Sequence, residues 1–153
     1  VNQLNSIQSF TTTMLQITKI FRFEMAHAIN GYPGKCKDIH GHSYELHVTV
    51  ATVSMSQHLI PGTGLVMHFK ELKAIVNECV VQPFDHRLVL SKEFIRSHNF
   101  SNYENILDWD YEPSVENLIL YIRQVLREKL PAHVRLVRLK LFETHDSYAE
   151  WEV

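Results

Sequence analysis

Alternating apolar and polar positions predict two long strands in the first third of the chain. From Leu15 to Met25 the odd positions are mostly apolar, while the even ones carry polar side chains such as Arg22 and Glu24. A period of two is typical of a half-buried strand. A second alternating run covers about His42 to Val53. Because glycine and proline are concentrated at positions 31–34 between the runs, we expect a loop there, with the two strands paired around it.

The pattern changes to helical spacing in the middle of the chain. Apolar residues recur at three- and four-residue intervals from Phe69 to Val80, and Pro83 is expected to end that helix. Ser114 is the predicted N-cap of a second helix, whose apolar stripe runs from Val115 to Leu126. The polar segment from about Ser91 to Asp110 is interpreted as a long loop.

Two more strands are predicted near the end of the sequence, at Val134 to Phe142 and at Tyr148 to Val153. The element order is then β-β-α-α-β-β, which indicates an α+β domain. No internal repeat and no linker divides this pattern. Residues 15–153 are therefore predicted to form a single domain, preceded by a loose arm over residues 1–14.

Composition and charge narrow the class of protein. The 153 residues are 45% hydrophobic and 21% charged, which is enough apolar material for one packed core. A formal net charge of −2 argues against a dedicated nucleic-acid binder, and no apolar run approaches the roughly 20 residues of a membrane helix. Cys36 and Cys79 are too few for a disulfide framework. We expect a cytoplasmic protein with neither a nucleic-acid nor a membrane partner.

Histidine is unusually frequent, with ten copies, and three of these lie at predicted strand ends. His40 and His42 lead into the second strand, where residues two apart share a face, and Gly41 is interpreted as leaving room between their rings. His27 ends the first strand and would approach both if the strands pair. Three neutral imidazoles with one open position are typical of a catalytic zinc site. The alternative is a set of surface histidines, since short motifs often match by chance.

Three other places in the sequence carry candidate chemistry. Cys36 lies between two lysines, which would lower the pKa of its thiol and favour a role as a base, although an inert loop cysteine is equally consistent. Asp85 and His86 could form an acid–base pair, or simply a turn. Glu143 ends an apolar row, where a carboxylate is costly unless it binds a ligand such as a guanidine-like group, or is solvated at the strand end.

Taken together, these residues resemble a known family. The chain is similar to the 6-pyruvoyl-tetrahydropterin synthases, which include the 6-carboxytetrahydropterin synthases of the queuosine pathway. The resemblance covers about Lys19 to Trp151. Its motifs occur in the family's order and are specific as a set: Phe23-x-x-x-His27, Cys36-x-x-x-His40-Gly41-His42, Asp85-His86-x-Leu88, Pro113-Ser114-x-Glu116-Asn117 and Glu143-Thr144.

The resemblance implies a tunnelling-type fold (T-fold), with a four-stranded antiparallel sheet and two helices on one of its faces. It also implies a homohexamer, in which three subunits close their sheets into a barrel and two such trimers stack. Active sites of the family lie at subunit interfaces. Such an assembly would cover the sheet edges that a lone subunit exposes.

The resemblance also assigns roles to individual residues. Zn²⁺ would be bound by His27, His40 and His42. Cys36 would abstract a proton, with Asp85 and His86 as the second acid–base pair. Glu143 would anchor the pterin ring of the substrate.

The spacing of three residues between Cys36 and His40 resembles the carboxytetrahydropterin branch. The implied reaction converts 7,8-dihydroneopterin triphosphate to 6-carboxytetrahydropterin, acetaldehyde and triphosphate. The alternatives are 6-pyruvoyl-tetrahydropterin synthase, which keeps the substrate side chain intact, and a non-catalytic zinc- and pterin-binding module. A folate-pathway relative that cleaves neopterin is disfavoured, because that branch characteristically has Glu in place of the cysteine.

The chain departs from the family pattern at two single positions and over one segment. His68 stands where relatives usually have Asp, so the function of that carboxylate is open here. Ser114 replaces a usual Thr and keeps the capping hydroxyl. The segment from Ser91 to Asp110 is longer than in compact relatives and is expected to reshape the rim of the pocket.

Overall fold

The first two predicted strands form the centre of the sheet. The computed structural model describes residues 15–53, 59–100 and 104–153, so the predicted arm over residues 1–14 lies outside the described residues. Strand β1 (Gln16–His27) and strand β2 (His40–Thr52) pair antiparallel from Gln16 opposite Ala51 to His27 opposite His40. Their alternating side chains make one face buried and the other exposed.

The rest of the sheet grows from both sides of this pair. β5 (Val134–Phe142) pairs antiparallel with β2, and β6 (Tyr148–Glu152) pairs antiparallel with β5. On the other side, β3 (Arg87–Ser91) runs parallel to the end of β1, and β4 (Ile106–Trp109) runs parallel to β3. The order is β4-β3-β1-β2-β5-β6. The α+β class is confirmed, but the expected four-stranded antiparallel sheet is corrected to a mixed sheet of six strands.

The prediction of a long loop over residues 91–110 was wrong, because this segment contains β4 and a short helix, while β3 ends at its first residue, Ser91. Helix α3 (Lys92–Ser97) begins at Ser91, whose Oγ accepts the N–H of Phe94 over 3.1 Å. Leu90 and Phe94 pack with Ala28 into a small core of their own. Because both β3 and β4 are very short, neither offers enough alternating positions to show a strand period in the sequence.

The predicted helix after Phe69 is present, with an irregular end. α1 (Phe69–Val76) continues into a π-helical turn over Asn77–Val81, and then into the short helix α2 (Gln82–Phe84). The N–H of Gln82 bonds the carbonyl of Asn77, five residues back. The chain therefore stays helical past Pro83 and delivers Asp85 to the edge of β1.

His68 caps α1 in place of the family's Asp. Its Nδ1 accepts the backbone N–H of Lys70 over 3.0 Å. A neutral imidazole can provide this one acceptor, so the capping contact is kept without a carboxylate. Glu71 supplies the negative charge that the first turn of a helix favours.

Helix α4 (Val115–Lys129) completes the layer of helices. Its predicted cap is confirmed, since Oγ of Ser114 accepts the N–H of Asn117 over 3.3 Å. The apolar stripes of α1 and α4 pack on the buried face of the sheet with strand residues such as Phe23, Tyr44, Leu46 and Leu139. No helix within the described ranges is long and apolar enough to cross a membrane.

Candidate active site

Strand register groups three histidines at one end of the β1–β2 pair. His27 lies opposite His40, and His42 follows two residues later on the same face of β2. One ring nitrogen from each residue lies within 4.8 Å of the other two. The three side chains predicted to cluster are thus brought together within one chain, and they could hold a metal ion.

Hydrogen bonds determine which nitrogen of two of these rings carries the proton. Nδ1 of His27 lies 2.7 Å from the carbonyl oxygen of Pro113, and Nδ1 of His40 lies 2.7 Å from that of Asp38. Because a carbonyl only accepts, each Nδ1 is the donor, and Nε2 of the neutral ring keeps its lone pair. Metal-binding histidines are oriented by hydrogen bonds of this kind.

Two nitrogens of the cluster are buried without a hydrogen bond. Nε2 of His27 and Nε2 of His42 make no hydrogen bond to any residue in the described part of the chain. Leaving a buried polar atom unpaired costs free energy, and coordination of a cation would remove that cost. Three imidazoles are a donor set that transition metals accept. The residues present therefore fit a metal ion.

Burial keeps the rings neutral. Desolvation lowers the pKa of His27 and also that of His42. The carboxylate of Glu143 opposes both shifts, since its Oε1 lies 3.3 Å from Nε2 of His27 and 3.8 Å from Nε2 of His42. Desolvation is the larger effect, so both rings offer lone pairs rather than protons near neutral pH.

Glu143 places its carboxylate at the edge of the cluster. It directly follows β5, and its N–H donates to the carbonyl of Ser147 across the β5–β6 turn over 3.0 Å. The hydroxyl of the buried Tyr44 donates to Oε1 of Glu143 over 3.2 Å. The residue predicted to bind the substrate thus adjoins the predicted metal ligands.

Gly41 lies on β2 with the space of its missing side chain on the face of the sheet opposite to the three histidines, whereas the same face was expected. A Cβ added at Gly41 would meet the backbone oxygen of Met25 at 3.6 Å and both Cα and Cβ of Ala26 at 3.9 Å. It would point away from the rings of His40 and His42, because successive strand residues alternate faces. The interpretation that Gly41 makes room between the two imidazoles was therefore wrong.

Asp85 and His86 form an exposed corner beside β1. Oδ2 of Asp85 lies 3.0 Å from Nδ1 of His86, whose side chain is 77% exposed. Oδ1 of Asp85 accepts the N–H of Glu24 over 2.9 Å, and the N–H of His86 donates to the carbonyl of Glu24 over 2.6 Å. The bond from the Glu24 backbone holds the pKa of Asp85 below its usual range. The pair is thus formed and fixed to the strand.

Cys36 lies in the loop that joins β1 to β2. It is the middle residue of a short 3₁₀ turn (Lys35–Lys37) and is exposed. Its carbonyl accepts the N–H of Ile29 over 2.8 Å, which ties the turn to the end of β1. Within the described ranges, no hydrogen bond or ion pair joins Cys36, Asp85 or His86 to the three histidines.

The motifs, the sheet and the histidine cluster agree with a comparison against protein families. A family model described as 6-pyruvoyl tetrahydropterin synthase matches residues 16–153. The chain belongs to this family. It is therefore a pterin synthase of the lyase type, and the helix-backed sheet described above is a T-fold with two added strands.

Individual relatives of this pterin synthase carry different names. A 6-carboxy-5,6,7,8-tetrahydropterin synthase of Haemophilus influenzae is 26% identical over 144 residues, covering 91% of this chain and 99% of the relative. A dihydroneopterin monophosphate aldolase of Pyrococcus furiosus is 32% identical over 130 residues, covering 85% and 90%. A 6-pyruvoyl tetrahydropterin synthase structure from Caenorhabditis elegans is 18% identical, with a TM-score of 0.66 and coverage of 93% and 97%.

Two contributions to the site of this pterin synthase were missed from the sequence. Tyr44 was not among the predicted site residues, yet its hydroxyl bonds Glu143. A tyrosine within the second alternating run was the available signal, because a buried hydroxyl needs a partner. The carbonyl of Pro113 orients His27. No side-chain pattern reveals a backbone acceptor, so only the fold could identify it.

Proposed function

We propose that this family member is a zinc-dependent 6-carboxy-5,6,7,8-tetrahydropterin synthase of the queuosine pathway. Its substrates are 7,8-dihydroneopterin triphosphate and one molecule of water, and its products are 6-carboxytetrahydropterin, acetaldehyde and triphosphate. The observation that carries the proposal is the cluster of three imidazoles beside Glu143, in a chain that also holds Cys36. Relatives with this name align over nearly their whole length.

Zinc is the metal proposed for the three-histidine cluster. His27, His40 and His42 would hold it through nitrogens that carry lone pairs, and three imidazoles are a frequent donor set of catalytic zinc. The ion would supply Lewis-acid polarisation of a substrate hydroxyl. Glu143, which adjoins the cluster, would accept hydrogen bonds from the amino and ring N–H groups of the pterin. The carboxylate thereby orients the ring so that its side chain extends over the histidines.

Proton transfer is assigned to the groups outside the cluster. The thiolate of Cys36 would take a proton from a substrate carbon next to the ring. Nδ1 of His86 faces the carboxylate of Asp85, which stabilises the charged imidazolium. His86 would then give and take protons through Nε2. Loss of triphosphate and cleavage of the side chain follow from these transfers.

The assembly proposed is a homohexamer of two stacked trimers. Among the described residues, no strand pairs with β1 from Gln16 to Phe23 on the side away from β2, and β6 has a neighbour only in β5. Open edges of this kind favour pairing with another chain. A second subunit would also bring an exposed Asp85–His86 corner to a neighbour's histidine cluster. Both cysteines are free thiols, and a reducing cytoplasm is part of the proposal.

A second candidate reaction is aldol cleavage of a phosphorylated dihydroneopterin, without loss of its phosphate. The 32% identity to an aldolase from Pyrococcus furiosus favours it. Cys36 disfavours a neopterin-cleaving enzyme of the folate-pathway type, because that branch of the family is characterised by Glu in place of the cysteine. Two further candidates are a 6-pyruvoyl-tetrahydropterin synthase and a non-catalytic pterin-binding module. The first would release a different pterin product from the proposed enzyme, and the second would release no product.

The test is a product analysis. Zinc-loaded protein is incubated with 7,8-dihydroneopterin triphosphate, the pterin is identified by mass spectrometry, and acetaldehyde is trapped. Carboxytetrahydropterin with acetaldehyde supports the proposal. A pyruvoyl product without acetaldehyde, or a phosphorylated glycolaldehyde from aldol cleavage, would assign the chain to another branch. Bound zinc and pterin without turnover would leave the binding module.

A further inference from the structure

A short segment before α4 connects two parts of the candidate site. We call residues Glu112, Pro113 and Ser114 the strap. The carbonyl of Pro113 accepts the Nδ1–H of His27 over 2.7 Å. The carbonyl of Glu112 accepts a side-chain N–H of Asn117 over 2.9 Å. The strap is therefore held to the first turn of α4 while it orients a predicted metal ligand.

The side chain of Glu112 extends the strap towards the loop that carries Cys36. Its Oε2 accepts the backbone N–H of Asn30 over 2.7 Å, in a partly buried position. The adjacent residue, Ile29, donates its own N–H to the carbonyl of Cys36 over 2.8 Å. The N–H of Asn30 bonds the carboxylate of the strap, and the N–H of Ile29 bonds the turn that contains Cys36. These two consecutive residues thus link the strap to the turn of the cysteine.

The loop has few other restraints in the described structure. Every residue from Gly31 to Ile39 is exposed except Gly34, which is half-buried. Its remaining backbone bonds are short-range: the N–H of Tyr32 bonds the carbonyl of Ile29, the N–H of Asp38 bonds that of Lys35, and the carbonyl of Asp38 accepts the Nδ1–H of His40 at the start of β2. An exposed loop with only local bonds opens readily. A single bond to the strap therefore has a large share in fixing where this loop sits.

We propose that Glu112 is a positioning residue that fixes the Cys36 loop relative to His27. It holds the loop through an acceptor oxygen rather than through its charge, since its partner is a neutral backbone N–H. It does not contact the reacting atoms. This inference rests on the proposed role of Cys36, but the bond it invokes can be measured without turnover.

The variants separate position from charge. Glu112→Ala removes the acceptor, Glu112→Asp withdraws it by one methylene, and Glu112→Gln keeps an oxygen that can accept from Asn30. Glu128→Ala is the matched control, because Glu128 lies exposed near the far end of α4. Asn117→Ala is the contrasting variant. It removes the bond from Asn117 to the carbonyl of Glu112, next to the Pro113 carbonyl that orients His27.

The first measurement is amide hydrogen exchange of Asn30 in the metal-free protein. We expect exchange about 10-fold faster in the Ala and Asp variants, and wild-type protection in Glu112→Gln and in the control. The second measurement is turnover of the zinc-loaded enzyme. A displaced cysteine should lower kcat by about 10- to 100-fold in the Ala and Asp variants, with little change in KM. Zinc affinity, measured by chelator competition, should change less than in Asn117→Ala.

The outcomes distinguish this inference from the proposed function. Wild-type exchange at Asn30, or wild-type kcat, in both Glu112→Ala and Glu112→Asp would overturn the positioning role. A Glu112→Gln variant as impaired as Glu112→Ala would overturn the argument that an acceptor oxygen suffices. If wild-type protein shows no turnover but the exchange rates follow the expected order, the proposed reaction fails while the link between strap and loop stands.

Discussion

The three-histidine cluster and the Asp85–His86 corner are built in opposite ways. The histidines project from the central strand pair, and His27 is almost completely buried. Asp85 and His86 lie between a short helix and the short strand β3, and the His86 side chain is largely exposed. The histidine cluster is thus packed among residues of its own chain, whereas the Asp85–His86 corner faces solvent. A metal site needs fixed neutral donors, and proton-transfer groups need access to substrate.

The difference extends to the forces that hold each group. Burial sets the protonation state of His27, and a backbone carbonyl sets its orientation. Asp85 and His86 are held by two backbone bonds to Glu24, with His86 in a left-handed conformation at φ 59°. A non-glycine residue in that region carries strain and persists when neighbours hold it there. Mutations should therefore separate metal binding from proton transfer.

The largest effect is expected from His40→Ala. Removal of one of three donors should weaken zinc binding by more than the roughly 10- to 100-fold typical of a lost supporting contact, and turnover should be lost with it. Chelator competition measures the affinity. His47→Ala is the control, since His47 lies on β2 and contacts Glu45 instead. Equal zinc affinity in His40→Ala and wild type would contradict the proposal that the histidine cluster binds the metal.

Cys36→Ala should abolish turnover while zinc stays bound. The thiol is exposed and is not part of the three-histidine cluster, so its removal leaves the cluster intact. Zinc content by elemental analysis and product formation by mass spectrometry are measured on the same sample. Cys79→Ala serves as the control, because Cys79 packs against the core. Full activity in Cys36→Ala would sink its assignment as the base.

Asp85→Asn tests the exposed corner. The amide keeps an oxygen for the N–H of Glu24 but loses the charge that stabilises a protonated His86, so kcat should fall about 100- to 10,000-fold, the usual contribution of acid–base catalysis. Zinc affinity should be unchanged. Because the pKa of Asp85 is already lowered, the wild-type carboxylate stays ionised across the neutral range. A loss of zinc comparable to that in His40→Ala would contradict the separation of the two groups.

The smallest effect is expected from His68→Asp, which tests whether this position belongs to either group. A carboxylate can accept the same N–H of Lys70 and adds a negative charge at the N-terminus of α1. We expect a gain of about 0.5–1 kcal/mol in the free energy of unfolding, measured by urea denaturation, with unchanged zinc content and kcat. His68→Ala should instead lower stability by about 1 kcal/mol. A loss of metal in His68→Asp would show a role beyond the cap.

How closely each strand could be predicted from the sequence depended on the length of its pattern of apolar and polar residues. β1, β2 and β5 have nine or more residues each, and their bounds were predicted closely because a long strand pattern has few competing interpretations. β3 and β4 have five and four residues, and they form because they pair with each other and with β1. No local pattern encodes such pairing, so the segment after Ser91 was wrongly interpreted as a loop.

The family, the central strands, the Ser114 cap and the set of candidate groups followed from the amino-acid sequence, because these depend on residue identity and on short-range periodicity. The tertiary structure alone decided how those groups meet. Strand register placed His27 opposite His40, burial made the imidazoles neutral, and the strap brought the Pro113 carbonyl to His27. These contacts join residues far apart in the chain, and their strength depends on desolvation, which exists only once the core has formed.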